Sequence, residues 1–229
     1  MKSLHILVLL ALASLSGCGR IIEWGKDNFY QGEEVKKYSA IPRKYLRSVV
    51  AYSQFMTQAV YDAIWLSDPV RTAYVDAFSD RTGKTEEQKN MLLRRELEEN
   101  NHYIVFYVLS LYNVPLGDPA GDWSVYLKLN DAVYHPVETK YIDLCPEFQS
   151  FFGKVYNRFK QSYQVKFDAR DVDGQSLITP ETTSIQLYFR SVKKEVHLTW
   201  NIDATGEFPV LKEATKEKIV RASSMREAA

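Results

Sequence analysis

WSVYLKLNDAVYHPVETKYI, residues 123–142, decides how this chain folds. From Ser124 to Leu129 apolar and polar residues alternate, the period of a strand with one face in a core and the other in water. Asn130 and Asp131 supply a tight turn, and alternation resumes from Ala132 to Ile142. The pattern predicts a hairpin, and with it an antiparallel sheet.

Working outward, HYIVFYVLSLYN (102–113) is too short and too β-branched for a helix and predicts a central strand. SYQVKFDA (162–169), SIQLYFRS (184–191) and EVHLTWNI (195–202) alternate in turn, separated by the polar turns DVDGQ (171–175) and Lys193-Lys194. Upstream, residues 44–66 fit both the helical and the strand period. Their second half, where Thr57, Ala59, Tyr61, Ala63 and Trp65 alternate with the residues between, is taken as extended. Strands near 60, 107, 126, 138, 165, 187 and 198 make seven, the inventory of an immunoglobulin-like antiparallel β-sandwich.

Two helices interrupt that series after the first strand. SDP (67–69) starts one, with Ser67 or Asp68 placed to accept the free amides and Pro69 where a missing N–H costs nothing. It runs to about Asp80, and Gly83 provides a left-handed stop. Thr85 with Gln88 three residues on forms a capping-box pattern for a second helix reaching about Asn100. On it Met91, Leu92 and Leu97 form an apolar stripe, and Arg94, Arg95, Glu96, Glu98 and Glu99 the solvated side. The pair would cover an edge or end of the sandwich, since a bare strand edge invites pairing with other chains. Pro146 to Arg158, aromatic and broken by Gly153, predicts a short helix or corner. The expected fold is mainly β, of the α+β class.

The chain opens MKSLHILVLLALASLSGCGR, with Lys2 ahead of an apolar run from Leu4 to Gly17. Crossing roughly 30 Å of hydrocarbon takes about 20 apolar residues, so the run is a secretory signal rather than a span. LSGC, Leu15–Cys18, resembles the lipobox of bacterial lipoprotein precursors. That resemblance implies cleavage before Cys18, diacylglyceryl transfer to its thiol and acylation of the new amino group, usually with palmitate-type chains. The other reading is an ordinary signal cut after Ser16 or Gly17, with Cys18 a free thiol. Gly19 stands where Asp would favour inner-membrane retention in that family, which implies the outer membrane, facing the periplasm. The expected organisation is a signal peptide over 1–17, a lipidated tether over 18–43, one β-sandwich domain over 44–202 with a helical insertion over 68–100, and a polar tail over 203–229. Within the tether, Ile21, Ile22 and Trp24 either rest in the headgroup zone or dock on the domain.

Removing the leader takes only Lys2 from 29 basic residues and leaves 29 acidic ones, a net charge of about −1. That balance gives no reason to expect nucleic acid as a partner. The remaining length can bury one substantial core. Fifteen Tyr and eleven Phe suit pleated faces. With Cys18 consumed by lipid, Cys145 in DLCPEF has no partner for an internal disulfide and reads as a structural thiol.

Chemistry-bearing patterns are sparse. His102, His135 and His197 survive leader removal, and none stands in HExxH or HxH spacing, so no metal site is expected. Alternation puts His197 on one face with Glu195 and Thr199. Asp168 to Gln175 is rich in carboxylates, but Arg170 and Asp173 occupy the third and sixth positions, where a calcium loop needs an oxygen ligand and Gly. No GxSxG or phosphate loop appears, no cofactor is expected, and no catalytic residue can be assigned. The mature part also resembles uncharacterised bacterial envelope lipoproteins that combine a helical insertion with a strand such as VLSLY (Val108–Tyr112) and a late LTW (Leu198–Trp200). No functional residue carries over from them. The expected function is a membrane-anchored lipoprotein with a non-catalytic binding or assembly role and an envelope protein as partner. The alternative is a membrane-tethered periplasmic hydrolase of an envelope polymer, which would need a pocket bringing one of the histidines against a carboxylate.

Overall fold

The computed structural model describes residues 33–53, 56–118 and 121–202. The leader, Cys18, the tether up to residue 32 and the tail from residue 203 lie outside the described residues. Among the described residues the fold is mainly β, with two antiparallel sheets and four helices. Chain order is α1 (Glu33–Tyr45), β1 (Leu46–Ser53), β2 (Met56–Trp65), α2 (Asp68–Thr82), α3 (Glu86–Asn100), β3 (Tyr103–Leu111), β4 (Ser124–Leu129), β5 (Ala132–Tyr134), β6 (Glu138–Tyr141), α4 (Pro146–Phe152), β7 (Lys160–Asp168), β8 (Ser184–Arg190) and β9 (Glu195–Asn201). One sheet runs β1-β2-β3-β7-β6, the other β5-β4-β8-β9. No helix among the described residues is long and apolar enough to cross a membrane.

Two cores explain the residue pattern. Between the sheets, Tyr61, Phe106, Val108, Val165 and Phe167 meet Leu127, Ile185, Leu187, Phe189 and Trp200. Tyr61 stacks on Phe189 with ring centroids 3.9 Å apart. On the other side of the five-stranded sheet, Ile64, Val105 and Leu109 meet Val70 and Ala73 of α2 and Phe148, Phe151 and Phe152 of α4. The central strand β3 is therefore apolar on both faces, which is why its sequence is a continuous run rather than an alternation. Each fully buried large apolar side chain contributes about 1.5–3 kcal/mol.

The seven expected strand segments are all present, but nine strands form among the described residues. Residues 46–53, left without an assignment by the sequence, make β1, a hairpin partner of β2 with register from Leu46↔Ile64 to Ser53↔Met56. The predicted hairpin strand over 132–142 divides in two. β5 closes a three-residue hairpin on β4, and after His135-Pro136 the chain crosses to pair as β6 with β7 in the other sheet. Pro136 lacks the N–H a continuing ladder needs. The edge of β6 is approached by Gly117, whose φ is +79° and where a Cβ would come within 2.8 Å of Thr139. Only glycine fits so close to that strand.

Part of the segment expected as tether is ordered into the body, because residues 33–45 form α1. α2 ends as expected at Gly83, with φ +62°. It also starts where expected, with Ser67 at the N-cap and Pro69 in the first turn, but Ser67 makes no side-chain cap bond and the Asp68 carboxylate instead accepts from the Asn100 amide at 2.6 Å. The Thr85–Gln88 capping box is complete. Of the apolar stripe expected on α3, Leu92 and Leu97 are only half-buried and Met91 faces solvent. Polar contacts fasten α3 as well. The buried Arg71 of α2 donates to Glu96 at 2.8 Å, Glu99 at 2.9 Å and the Asn100 side chain at 2.6 Å. Lys166 of β7 reaches Glu99 at 2.8 Å from the sheet below. Glu96 and Glu99, expected on the solvated side, are thus the anchors of the helix.

Candidate functional site: the open face of the four-stranded sheet

Strands β4, β8 and β9 point Leu127, Leu187 and Leu198 into the core, so the residues between them face outward. Register sets Tyr126 opposite Tyr188, and Tyr188 opposite His197. The three rings form one cross-strand row, with centroids 5.0 Å apart between the tyrosines and 4.8 Å between Tyr188 and His197. Stacked aromatic pairs on a sheet face add about 0.5–1.5 kcal/mol beyond area burial, so the row is a rigid platform. The Tyr126 hydroxyl donates to Glu195 at 2.7 Å and that of Tyr188 to Gln186 at 3.0 Å. Partial burial and the Glu195 carboxylate push the Tyr126 phenol up to about 12, so it remains a neutral donor. The described helices α1, α2 and α4 pack on the five-stranded sheet and leave this face open. Such a surface can hold a partner through flat rings rimmed by both charges, with Lys128 on one side and Glu195 beside Arg190 on the other.

The sequence placed His197, Glu195 and Thr199 on one face, and they lie there. It did not single out Tyr126 or Tyr188. Their signal was available, since each is an outward aromatic at the middle of an alternating strand. His102 stands exposed in the turn before β3, its ring 6.4 Å from Tyr103, and His135 is exposed at the crossover between sheets. The three histidines therefore occupy separate places. Among the described residues no group of three His, Cys, Asp or Glu side chains converges as a metal would require. At the carboxylate-rich turn, Asp171 accepts from the amides of Asp173 at 3.0 Å and Gln175 at 2.8 Å, and Arg170 donates to the Gly174 carbonyl. Ordinary Asx-turn bonding occupies that carboxylate.

Cys145 is half-buried at the start of α4, and burial pushes its thiol up to about 11. At neutral pH it is protonated and a poor nucleophile. Nearby, a cleft of about 530 Å³ lies between α1, α2 and α4. Its polar side chains bind one another, Tyr38 donating to Asp80 and Arg81 to Glu147. Burial works to raise the Glu147 carboxyl, but the Arg81 bond together with bonds from the Glu147 backbone N–H and the Cys145 thiol outweighs it and holds the group below the usual range. The cleft works as a latch between helices.

No protein-family model, curated protein or solved structure matches this chain.

Proposed function

We propose that this chain is a lipid-anchored envelope protein: residues 1–17 direct export, acyl chains on Cys18 hold it in the outer membrane facing the periplasm, and its body binds an envelope protein partner without catalysing a reaction. The binding half of this reading is carried by one observation, the rigid row Tyr126–Tyr188–His197 on an uncovered sheet face. Rings already fixed by stacking lose little rotamer freedom when a partner covers them, which is why aromatics dominate interface cores. The anchor half is supported by the sequence LSGC after an apolar run too short to span. Each buried methylene contributes about 0.8 kcal/mol, so two or three acyl chains hold for practical purposes permanently.

The same reading takes the body as an immunoglobulin-like sandwich. With β1 set aside, the order β2-β3-β7-β6 over β5-β4-β8-β9 parallels the ABED and C′CFG sheets of such domains, and α2–α3 then form an insertion between the first two strands. Sandwiches of this kind offer flat sheet faces for recognition.

The test has two arms. Cells fed labelled palmitate should label the wild type and not Cys18→Ser; equal labelling of both overturns the anchor. In-cell crosslinking through the open face should capture one envelope protein, and Tyr188→Glu should abolish the capture while the protein still unfolds cooperatively, its thermal midpoint lowered only by the loss of the two stacked pairs. Capture that persists in Tyr188→Glu overturns the assignment of this face.

A further inference from the structure

One end of the sandwich gathers five of the eleven large apolar side chains that the described residues leave in water. The β1–β2 hairpin pairs Ser53 with Met56, the N–H of Tyr112 just after β3 donates to the Phe159 carbonyl just before β7 at 2.9 Å, and the β8–β9 turn carries Val192. A cleft of about 590 Å³ joins these connections, with Thr57, Val114, Trp123 and Val192 among its lining. Tyr52, Met56, Tyr112 and Phe159 are each more than half exposed, and Val192 is completely exposed. Isolated exposed apolar residues are ordinary, but a cluster on adjoining loop tips marks an interaction surface.

The charges around this tip are mostly positive. Arg158 lies over the Phe159 ring at 4.9 Å, and Lys193 and Lys194 are exposed in the β8–β9 turn. Among the described residues none of these three makes an ion pair. Lys160 is not counted, because Asp62 holds it. Asp122 is the carboxylate that lines the same cleft. Three free cations against one carboxylate, set around Tyr, Phe, Met and Val, match the chemistry of an anionic bilayer surface: aromatic and aliphatic tips enter the headgroup layer while basic groups meet lipid phosphates.

We propose that the tip formed by Tyr52, Met56, Tyr112, Phe159 and Val192, with Arg158, Lys193 and Lys194, docks on an anionic phospholipid surface. The proposal deepens the lipid-anchored reading, on which it rests. Acyl chains on Cys18 would keep the tip at high effective concentration near the bilayer, so weak contacts suffice. A body standing on this end keeps the Tyr126–Tyr188–His197 face roughly upright and open to a partner.

The experiment reads depth at two ends of the full-length protein in a Cys145→Ser background. Val192→Cys places a polarity-sensitive fluorophore at the tip. Val172→Cys places it at the opposite end, on a side chain equally exposed in the turn after β7. Vesicles of phosphatidylcholine, alone or mixed with phosphatidylglycerol, carry a nitroxide quencher at headgroup depth. Phosphatidylglycerol vesicles should quench position 192 several-fold more than position 172, and the combined substitutions Arg158→Glu, Lys193→Glu and Lys194→Glu should abolish the difference. Equal quenching at the two ends overturns the docking and leaves the tip to a protein partner, and equal quenching of position 192 in phosphatidylcholine alone overturns the anionic assignment. Flotation of unlabelled protein with phosphatidylcholine vesicles reads the Cys18 lipid separately. Protein that does not float counts against the anchor, while the tip is still scored on position 192 with added phosphatidylglycerol vesicles.

Discussion

The indole N–H of Trp200 donates to the carbonyl of Tyr45 at 2.7 Å, a buried bond that fastens the last strand to the end of α1. Beside it, Arg47 Nε donates to the Thr199 carbonyl at 3.0 Å, joining the β1 edge of one sheet to the β9 edge of the other. The Trp200 ring also packs against Phe106 at 5.1 Å in the inter-sheet core. Trp200→Phe keeps an aromatic ring but removes the donor and leaves a void. It should cost about 2–4 kcal/mol, the combined effect of a lost buried hydrogen bond and a cavity. In urea unfolding the midpoint should fall with little change in slope, and a wild-type midpoint would show that Tyr45 and Trp200 are not coupled.

What the sequence made legible was local. Gly83 as a left-handed stop, Thr85 with Gln88 as a box, and the alternation of β4, β8 and β9 each depend on neighbours within a few residues, and each is found. The missed features depend on distant partners. LRSVVAYS (46–53) carries both periods, and pairing with β2 decides for the strand. Arg71 sits between buried Val70 and Ala73, a hint of an enclosed cation, yet its partners Glu96 and Glu99 lie some 25 residues away and read locally as solvated. The row Tyr126–Tyr188–His197 needs three strands brought into register before it exists at all. The apolar tip likewise draws on four separate connections.

The capping box of α3 offers a clean measurement, because no side chain of the helix is fully buried. Thr85 Oγ1 accepts from the Gln88 amide at 3.3 Å, and Gln88 returns the bond to the Thr85 N–H at 3.2 Å. Thr85→Ala should lower stability by about 0.5–2 kcal/mol, with Thr85→Ser close to wild type. Loss of hydrogen-exchange protection confined to the first turn of α3 would locate the effect, and unchanged protection there would contradict it.

Cys145 predicts slow thiol chemistry. With its thiol raised to about 11, only about one molecule in a thousand holds a thiolate at pH ~8, against roughly a quarter for an ordinary cysteine. Iodoacetamide should label the native protein about two orders of magnitude more slowly than the unfolded chain. Its rate should climb steadily with pH and show no plateau near 8.5. Fast labelling at neutral pH would mean an activated nucleophile and would reopen the hydrolase reading.

Acid should loosen the helical layer first. Burial opposes ionisation of Glu99, but Lys166 at 2.8 Å and Arg71 at 2.9 Å outweigh it and hold the carboxyl below its ordinary value. Glu147, also opposed by burial, is held low by Arg81 together with its own backbone N–H and the Cys145 thiol. In the unfolded chain both titrate near about 4.3. A folded pKa below the unfolded one contributes stability that is fully present above the unfolded value and is lost as pH falls through the folded one. The thermal midpoint should therefore hold near neutral pH and drop below about pH 4. Glu99→Gln and Glu147→Gln should each start lower at neutral pH and fall less steeply, so that their curves approach wild type in acid. Parallel curves for wild type and both variants would show that these two carboxylates do not govern the acid response.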